Sequence, residues 1–263
     1  TLDFNLNNDL PFIMFLPGYT ATAWYHDALK PHRPLQDWLK EAEEFALGDY
    51  AKALLKGDSL TKEERADIVK RTSYFTGISE QFIERSNLRI NDQHYFKELL
   101  RERGLTVGRL DSRLIGRDRL GVTENAEYDP LLTNIMGPYT AAFYDYIRRE
   151  LKFESDLPYE ILSGFVHPWS YKEFENAYVN VGETLRAAMT YNPYLKVYVA
   201  NGYYDLGTPY FATEYTFNHL GLDESLRGNV TMGYYEAGHM MYIHIPSLKQ
   251  MKRDLAEFIK TAS

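Results

Sequence analysis

Cysteine is absent from this chain of 263 residues, which excludes disulfide staples, thiolate-ligated zinc and a catalytic thiol. Long apolar runs are missing as well. None approaches the about 20 residues that a membrane-crossing helix needs, so no membrane span is expected. Basic charge is in deficit: 29 Lys and Arg stand against 37 Asp and Glu, a net charge of −8. Nucleic acid is therefore not expected as the main partner. Neither a P-loop nor a G-x-G-x-x-G occurs, so a nucleotide cofactor has no support, and no cofactor is expected. His239 and His244 lie five apart with no H-E-x-x-H, so no metal site is expected either. The chain opens on Thr1 with neither a methionine nor a signal-peptide pattern, and an upstream segment is expected to have been removed.

What is present suffices for a folded core. Hydrophobic residues make up 44% and aromatics 15% of the chain, well above the range of disordered segments. No internal repeat or low-complexity stretch interrupts it. Punctuation and periodicity divide the sequence into three zones. Residues 1–33 open with a polar stretch, then an apolar run, Phe12–Leu16, closed by Pro17-Gly18. A short apolar run bounded by breakers predicts a buried strand, followed by a helix over Tyr19–Leu29.

Residues 34–150 read as mainly helical. Pro34 suits a first helical position ahead of Leu35, Trp38, Leu39, Ala42, Phe45 and Ala46 at helical spacing. Thr61 and Glu64 match a capping box. Asn91 is expected to cap a helix running to Gly104, and another helix is expected over Pro138–Glu150. Between them, Arg103, Arg109, Arg113, Arg117 and Arg119 alternate with Asp111 and Asp118, which predicts a solvated ion-pair surface. Glu41, Glu43, Glu44, Glu63 and Glu64 are spaced for helix faces and caps rather than for a glycosidase carboxylate pair.

Residues 151–263 have the clearest grammar. Phe174, Ala177, Tyr178, Val181, Leu185, Ala188 and Met189 predict one helical face. Strands are expected over Leu195–Ala200 and Val230–Tyr235. A helix capped by Thr208 and Pro209 lies between them, and a last helix opens at Pro246. Strands alternating with helices predict parallel βαβ units in a layered α/β domain. Two loops then leave the carboxyl ends of the two strands, where open parallel sheets place their sites. One is Asn201-Gly-Tyr-Tyr-Asp205-Leu-Gly-Thr208 and the other Glu236-Ala-Gly-His239. An acid on one and a histidine on the next make a base-and-orienter pair, the carboxylate fixing the imidazole tautomer. A turn-forming aspartate and an exposed histidine are the alternative.

These two loops resemble the acid and histidine loops of the serine carboxypeptidases, in their bacterial branch. Thr208-Pro-Tyr-Phe-Ala-Thr-Glu-Tyr-Thr-Phe, Tyr242-Ile-His244, Thr22-Ala-Trp-Tyr-His26 and Val107-Gly-Arg-Leu-Asp-Ser-Arg113 extend the likeness along most of the chain. The resemblance implies a partial α/β-hydrolase, with about three core strands split between 1–33 and 151–263 and a helical cap insertion at 34–150. Asp205 is implied as the triad acid and His239 as the general base. Tyr204 and Glu236 are the candidate substrate contacts, and export is implied for the family.

The chain departs from that family in one respect that decides its chemistry. It contains no G-x-S-x-G, and Ser59, Ser163, Ser225 and Ser247 lack the strand–turn–helix setting of a nucleophile. The resemblance thus implies the C-terminal part of a carboxypeptidase that takes a peptide substrate, needs a missing N-terminal part and is inactive alone. A sheet cut in its middle is expected to self-associate or to rearrange its edge. Two other readings stand beside it: a non-catalytic peptide- or glycan-binding module, and an α/β-hydrolase esterase or acyltransferase.

Overall fold

The computed structural model describes residues 4–5 and 7–262; Thr1 lies outside them. Helix α1 (Leu10–Tyr25) takes Pro11 into its first turn, where the missing N–H would have had no helical partner. The strand expected over Phe12–Leu16 is therefore helix, and Pro17-Gly18 does not end it. Every residue of α1 from Pro11 to Ala23 is buried. A helix covered on all sides carries no amphipathic period, so an apolar run does not distinguish it from a buried strand.

Helix α2 (Leu35–Phe45) follows, with Pro34 just ahead of its first turn rather than in it, and buries Leu35, Trp38, Leu39, Ala42 and Phe45. One wide turn leads into α3 (Ala51–Lys56) and then α4 (Lys62–Thr76). The capping box of α4 is formed: Glu64 N donates to Thr61 Oγ1 at 3.2 Å and Thr61 N to Glu64 Oε2 at 3.0 Å. Such a cap contributes about 1 kcal/mol. After α5 (Glu80–Arg85), Asn91 caps α6 (Asp92–Glu98), accepting from His94 N at 2.8 Å. The helix expected to reach Gly104 stops at Glu98, and a single tight turn, Arg101–Arg103, completes the distance.

Helix α1 is the axle of the core, packed against α2, α4 and α9 (Tyr210–Asn218). Tyr19 and Tyr95 stack at 3.9 Å between ring centres, and Tyr95 donates its hydroxyl to Tyr19 O at 2.7 Å. Tyr50 similarly donates to Leu88 O at 2.7 Å. Large rings are buried here at no polar cost because each hydroxyl finds a carbonyl. The same cluster of buried residues takes in Tyr204, Leu206 and Phe211, and the loop carrying Asp205 lies against α1, with Leu206 beside Gly18 and Tyr204 beside Tyr25.

Helix α7 (Pro130–Asp145) begins earlier than the expected Pro138, because Asp129 caps it by accepting from Leu131 N at 2.8 Å. Helix α8 (Gly182–Tyr191) is shorter than expected; Phe174 to Val181 precede it without helical structure of their own beyond one tight turn. Residues 151–181 leave large apolar side chains in solvent, Phe165 at 90% and Trp169 at 65% exposure.

Strands β3 (Val197–Gly202) and β4 (Val230–Tyr235) pair in parallel, from Val197 opposite Val230 to Gly202 opposite Tyr235. Helices α9 and α10 (Glu224–Arg227) connect them, and α11 (Ile245–Ala262) packs on both. Among the described residues the parallel sheet has these two strands, not about three. A separate antiparallel hairpin joins β1 (Thr106–Val107) to β2 (Ile115–Gly116). The chain is thus mixed α and β, with helix dominant.

The arginine-rich segment is solvated in part: Arg103, Arg109, Arg117 and Arg119 are exposed, whereas its aspartates are buried in ion pairs. The side chains of Asp118 and Lys97 are 1% and 3% exposed and form an ion pair, with Thr106 donating to the same carboxylate at 3.0 Å. Burial pushes the Asp118 carboxyl up, but the bonds from Lys97, the Glu127 N–H and Thr106 outweigh it and hold it below its usual range.

Candidate functional site

Parallel pairing places the ends of β3 and β4 side by side, and the loops that leave them are joined at once. Tyr203 N donates to Tyr235 O and Tyr204 N to Ala237 O, both at 3.0 Å. The backbones come so close that a Cβ on Gly202 would stand 2.5 Å from the carbonyl oxygens of Ala237 and Gly238. Only glycine fits such an approach.

Within this crossing Asp205 and His239 meet: His239 Nδ1 lies 2.8 Å from Asp205 Oδ2. The carboxylate is held from all sides. Its Oδ1 accepts from the N–H groups of Gly207 (2.8 Å) and Thr208 (2.9 Å), and its Oδ2 accepts from Thr208 Oγ1 at 2.6 Å. Two backbone N–H groups and the threonine hydroxyl thus all meet the carboxyl group as donors. The proton of the imidazole is then assigned to Nδ1 by its bond to Asp205, leaving the Nε2 lone pair free in neutral histidine. The Asp205 side chain is 5% exposed and that of His239 45%. Buried acid and open imidazole are what a proton-transferring histidine requires. No hydroxyl of the described residues bonds Nε2.

The sequence reading placed Asp205 and His239 on adjacent loops, and the structure brings them into contact. Thr208, expected as a helix cap, instead turns its hydroxyl to Asp205 and lies 3.2 Å from His239 Nδ1; α9 begins after Pro209 without a side-chain cap. The spacing Asp205-x-x-Thr208, an acid that can accept from the N–H groups two and three residues on, was the signal for it. Tyr204 is corrected from a substrate contact to a packing residue. It is fully buried, with Arg113 over its ring at 5.4 Å and Tyr25 against its edge at 5.3 Å. Burial raises its phenol pKa well above the usual value, with the charge of Glu236 adding to the effect. Glu236 is exposed.

A segment that periodicity did not single out crosses both loops. The turn between β1 and β2, residues 108–114, lies over them as a strap. Leu206 N donates to Arg109 O at 2.9 Å, Ser112 N to Tyr204 O at 2.9 Å and His239 N to Leu110 O at 2.7 Å. The strap is fixed in turn to α1: Thr22 Oγ1 and Ser112 Oγ are 2.6 Å apart, and His26 Nε2 donates to Ser112 O at 2.7 Å. A Cβ on Gly238 would stand 2.5 Å from Asp111 Cβ and closer still to Leu110 O. The stretches Thr22–His26, Val107–Arg113, Tyr203–Thr208 and Glu236–His239 thus converge on one place.

His244 bonds Ser247 Oγ at 2.8 Å, the serine being buried. Asn229, the first residue of an Asn-x-Thr glycosylation pattern, Asn229-Val-Thr231, is buried with its amide donated to Pro193 O at 2.7 Å. Tyr203, Tyr210 and Tyr234 line a recess of about 240 Å³ with Glu43 and Glu214. Tyr210 donates to Glu43 at 2.7 Å and Tyr234 to Glu214 at 2.5 Å. Burial raises the pKa of the Glu43 carboxyl above its usual range, and the charge of Glu214 adds to it. Among the described residues no group of His, Asp and Glu is arranged to hold a metal ion. No helix there is long and apolar enough to cross a membrane. No protein-family model matches the chain, and no curated protein or solved structure does so either.

Proposed function

We propose that this chain is the C-terminal part of a serine-type carboxypeptidase of the α/β-hydrolase type. It supplies Asp205 and His239 of a Ser-Asp-His triad, and the serine and the oxyanion-hole donors come from polypeptide that this sequence does not include. The observation that carries the reading is the 2.8 Å contact of His239 Nδ1 with Asp205 Oδ2 across the ends of two parallel strands. The chain order, acid before histidine on successive strand ends, is that of α/β-hydrolases.

The chemistry is acyl transfer. Nε2 of His239 takes the proton of the serine hydroxyl as the oxygen attacks the last peptide carbonyl, while Asp205 stabilises the imidazolium through Nδ1–H. The same Nε2 gives that proton to the departing amino acid, and water repeats the cycle to release the shortened peptide. The open apolar surface at 151–181 and the free outer edges of the two-stranded sheet support a reading in which further chain completes the domain.

The test is a longer natural chain that includes the upstream sequence, treated with a fluorophosphonate probe and assayed on peptides with free or amidated C-termini. Labelling that disappears in His239→Ala, with cleavage confined to free C-termini, is the expected result. Labelling without that preference moves the assignment to an esterase or acyltransferase. No labelling, or labelling indifferent to His239 and Asp205, overturns the hydrolase reading. The tyrosine-lined recess beside Glu43 and Glu214 favours one alternative, a binding module. Its mark would be peptide or glycan binding that is unaltered by His239→Ala and lost in Tyr234→Ala.

A further inference from the structure

The geometry points to Asp111 and Arg113 as positioning residues for His239. Together they set the loop Glu236–Met240 at the separation from Asp205 that the acid–imidazole contact requires. The inference rests on the proposed role of His239 for its consequence, but not for its structural content.

His239 stands on the five-residue loop Glu236–Met240, which has no regular structure. A chain of that kind keeps an imidazole at hydrogen-bond distance from a partner on another loop only where its own backbone is anchored. The anchors on the β3 side are Tyr203 N to Tyr235 O and Tyr204 N to Ala237 O, which hold the beginning of the loop. The remaining two come from the strap. Leu110 O accepts from the amide of His239 itself at 2.7 Å, and Arg113 Nη1 donates to Glu236 O at 2.7 Å.

Ser112 ties the strap to α1, and Asp129 accepts from the amides of Arg109 and Leu110 at 3.1 and 2.9 Å; the Asp111–Arg113 pair adds the contact that aims the strap at Glu236. Arg113 meets Asp111 through two parallel bonds, Nε to Oδ1 at 2.9 Å and Nη2 to Oδ2 at 2.7 Å. The Asp111 side chain is 3% exposed and that of Arg113 12%. The amide of Arg113 also donates to Asp111 Oδ1 at 3.2 Å, which closes the turn on itself. A fork–fork contact fixes the guanidinium plane as well as its position. The third nitrogen of the fork is thereby aimed at Glu236 O, and the ring of Tyr204 forms the floor beneath it. Buried ion pairs are seldom sources of net stability, because desolvation offsets their attraction. Two charges buried at this place therefore call for a directional role, and the loop carrying His239 is what they direct. Lysine could not replace arginine fully here, since one ammonium lacks the planar fork that reaches Asp111 and Glu236 together.

The distinguishing experiment separates positioning from folding stability. In the isotope-labelled chain, hydrogen exchange of the His239 amide and the Nδ1–H resonance of its ring are followed in Arg113→Lys and in the double variant D111N/R113Q. Removing both charges leaves no orphan ion behind, so the double variant is expected to keep its melting temperature and the exchange rates of β3 and β4. Its His239 amide is expected to exchange about tenfold faster or more, as a locally opened loop does, with the Nδ1–H signal broadened or lost. Arg113→Lys should fall between the two. Unchanged His239 exchange and an unchanged ring signal in the double variant would sink the proposal. So would acceleration that merely tracks that of β3 and β4. Should the double variant fail to fold, Arg113→Lys alone carries the same comparison, with no selective acceleration counting against the inference. Fluorophosphonate labelling of the longer chain tests the catalytic reading separately, and its failure leaves these exchange rates as they are.

Discussion

Thr208 and Asp205 share one proton-donating contact, 2.6 Å from hydroxyl to carboxylate, and the same hydroxyl oxygen stands 3.2 Å from His239 Nδ1. The threonine therefore touches both halves of the site. Its methyl-bearing carbon fixes the rotamer, and its hydroxyl occupies the Asp205 lone pair that the imidazole does not use. The acid is thereby left a single open direction, toward His239.

Thr208→Val keeps the shape and removes the donor. A buried carboxylate that loses one of its hydrogen bonds is expected to cost about 1–3 kcal/mol, read as a lower urea midpoint. The His239 Nδ1–H resonance should shift, because Asp205 Oδ2 gains freedom to move. Thr208→Ser should preserve both quantities. Equal behaviour of the valine and serine variants would show the hydroxyl to be irrelevant.

Gly238→Ala tests the seat of the strap. The added methyl would meet Leu110 O and stand 2.5 Å from Asp111 Cβ, two parts of a backbone held by several bonds. Overpacking of this kind costs about 1–3 kcal/mol, and here the strain is relieved by lifting the strap away from His239. A lower melting temperature accompanied by faster exchange at the His239 amide is the expected pair of results. Gly228→Ala, where nothing stands within 4 Å of the added atom, is the matched control and should leave the His239 amide unaffected.

The sheet strands and the acid and histidine loops were legible because their signals are local. Gly228 and Tyr235 bracket β4 within a few residues, and the placement of Asp205 and His239 follows from the rule for parallel strand ends. Helix α1 was misread for the opposite reason: complete burial erases the period that reveals a helix. The strap escaped because its bonds join Leu110 to His239 and Arg109 to Leu206, partners far apart in sequence that no window of neighbouring residues contains. The segment was instead judged by its charges, and alternating signs look the same whether the pairs are solvated or, as with Asp111 and Arg113, buried.

Residues 151–181 give a prediction for the chain in solution. Phe165, Leu157 and Trp169 are 90%, 80% and 65% exposed, and apolar surface in such quantity promotes association. Sedimentation velocity should show a weight-average coefficient that rises with protein concentration. Phe165→Asp together with Trp169→Asp should suppress the rise. Concentration-independent sedimentation of a single monomeric species would contradict it.

His26 gives a pH dependence whose sign can be worked out. Burial lowers its pKa from 6.5, more than the bond to the Ser112 carbonyl raises it, with Arg103 lowering it further and Asp27 acting the other way. In the unfolded chain the ring titrates near its ordinary value, about 6.5. Above that pH both states are neutral and the contact with Ser112 contributes fully. Below it the unfolded chain binds the proton first, so stability falls progressively until the pH reaches the lower, folded value. The melting temperature is therefore expected to decline as the pH falls below about 6.5, against an opposing gain as Glu43 and Asp92, whose carboxyls burial raises, take up protons. His26→Gln keeps an N–H for Ser112 O and removes the titration, so its curve should be flatter across this window. Some slope should survive, because burial lowers His244 as well, helped by the charge of Arg113. A curve for His26→Gln that parallels the parent throughout would show that the ring in the strap's anchor takes its proton without cost. The bond from His26 to Ser112 would then not be what ties α1 to the site.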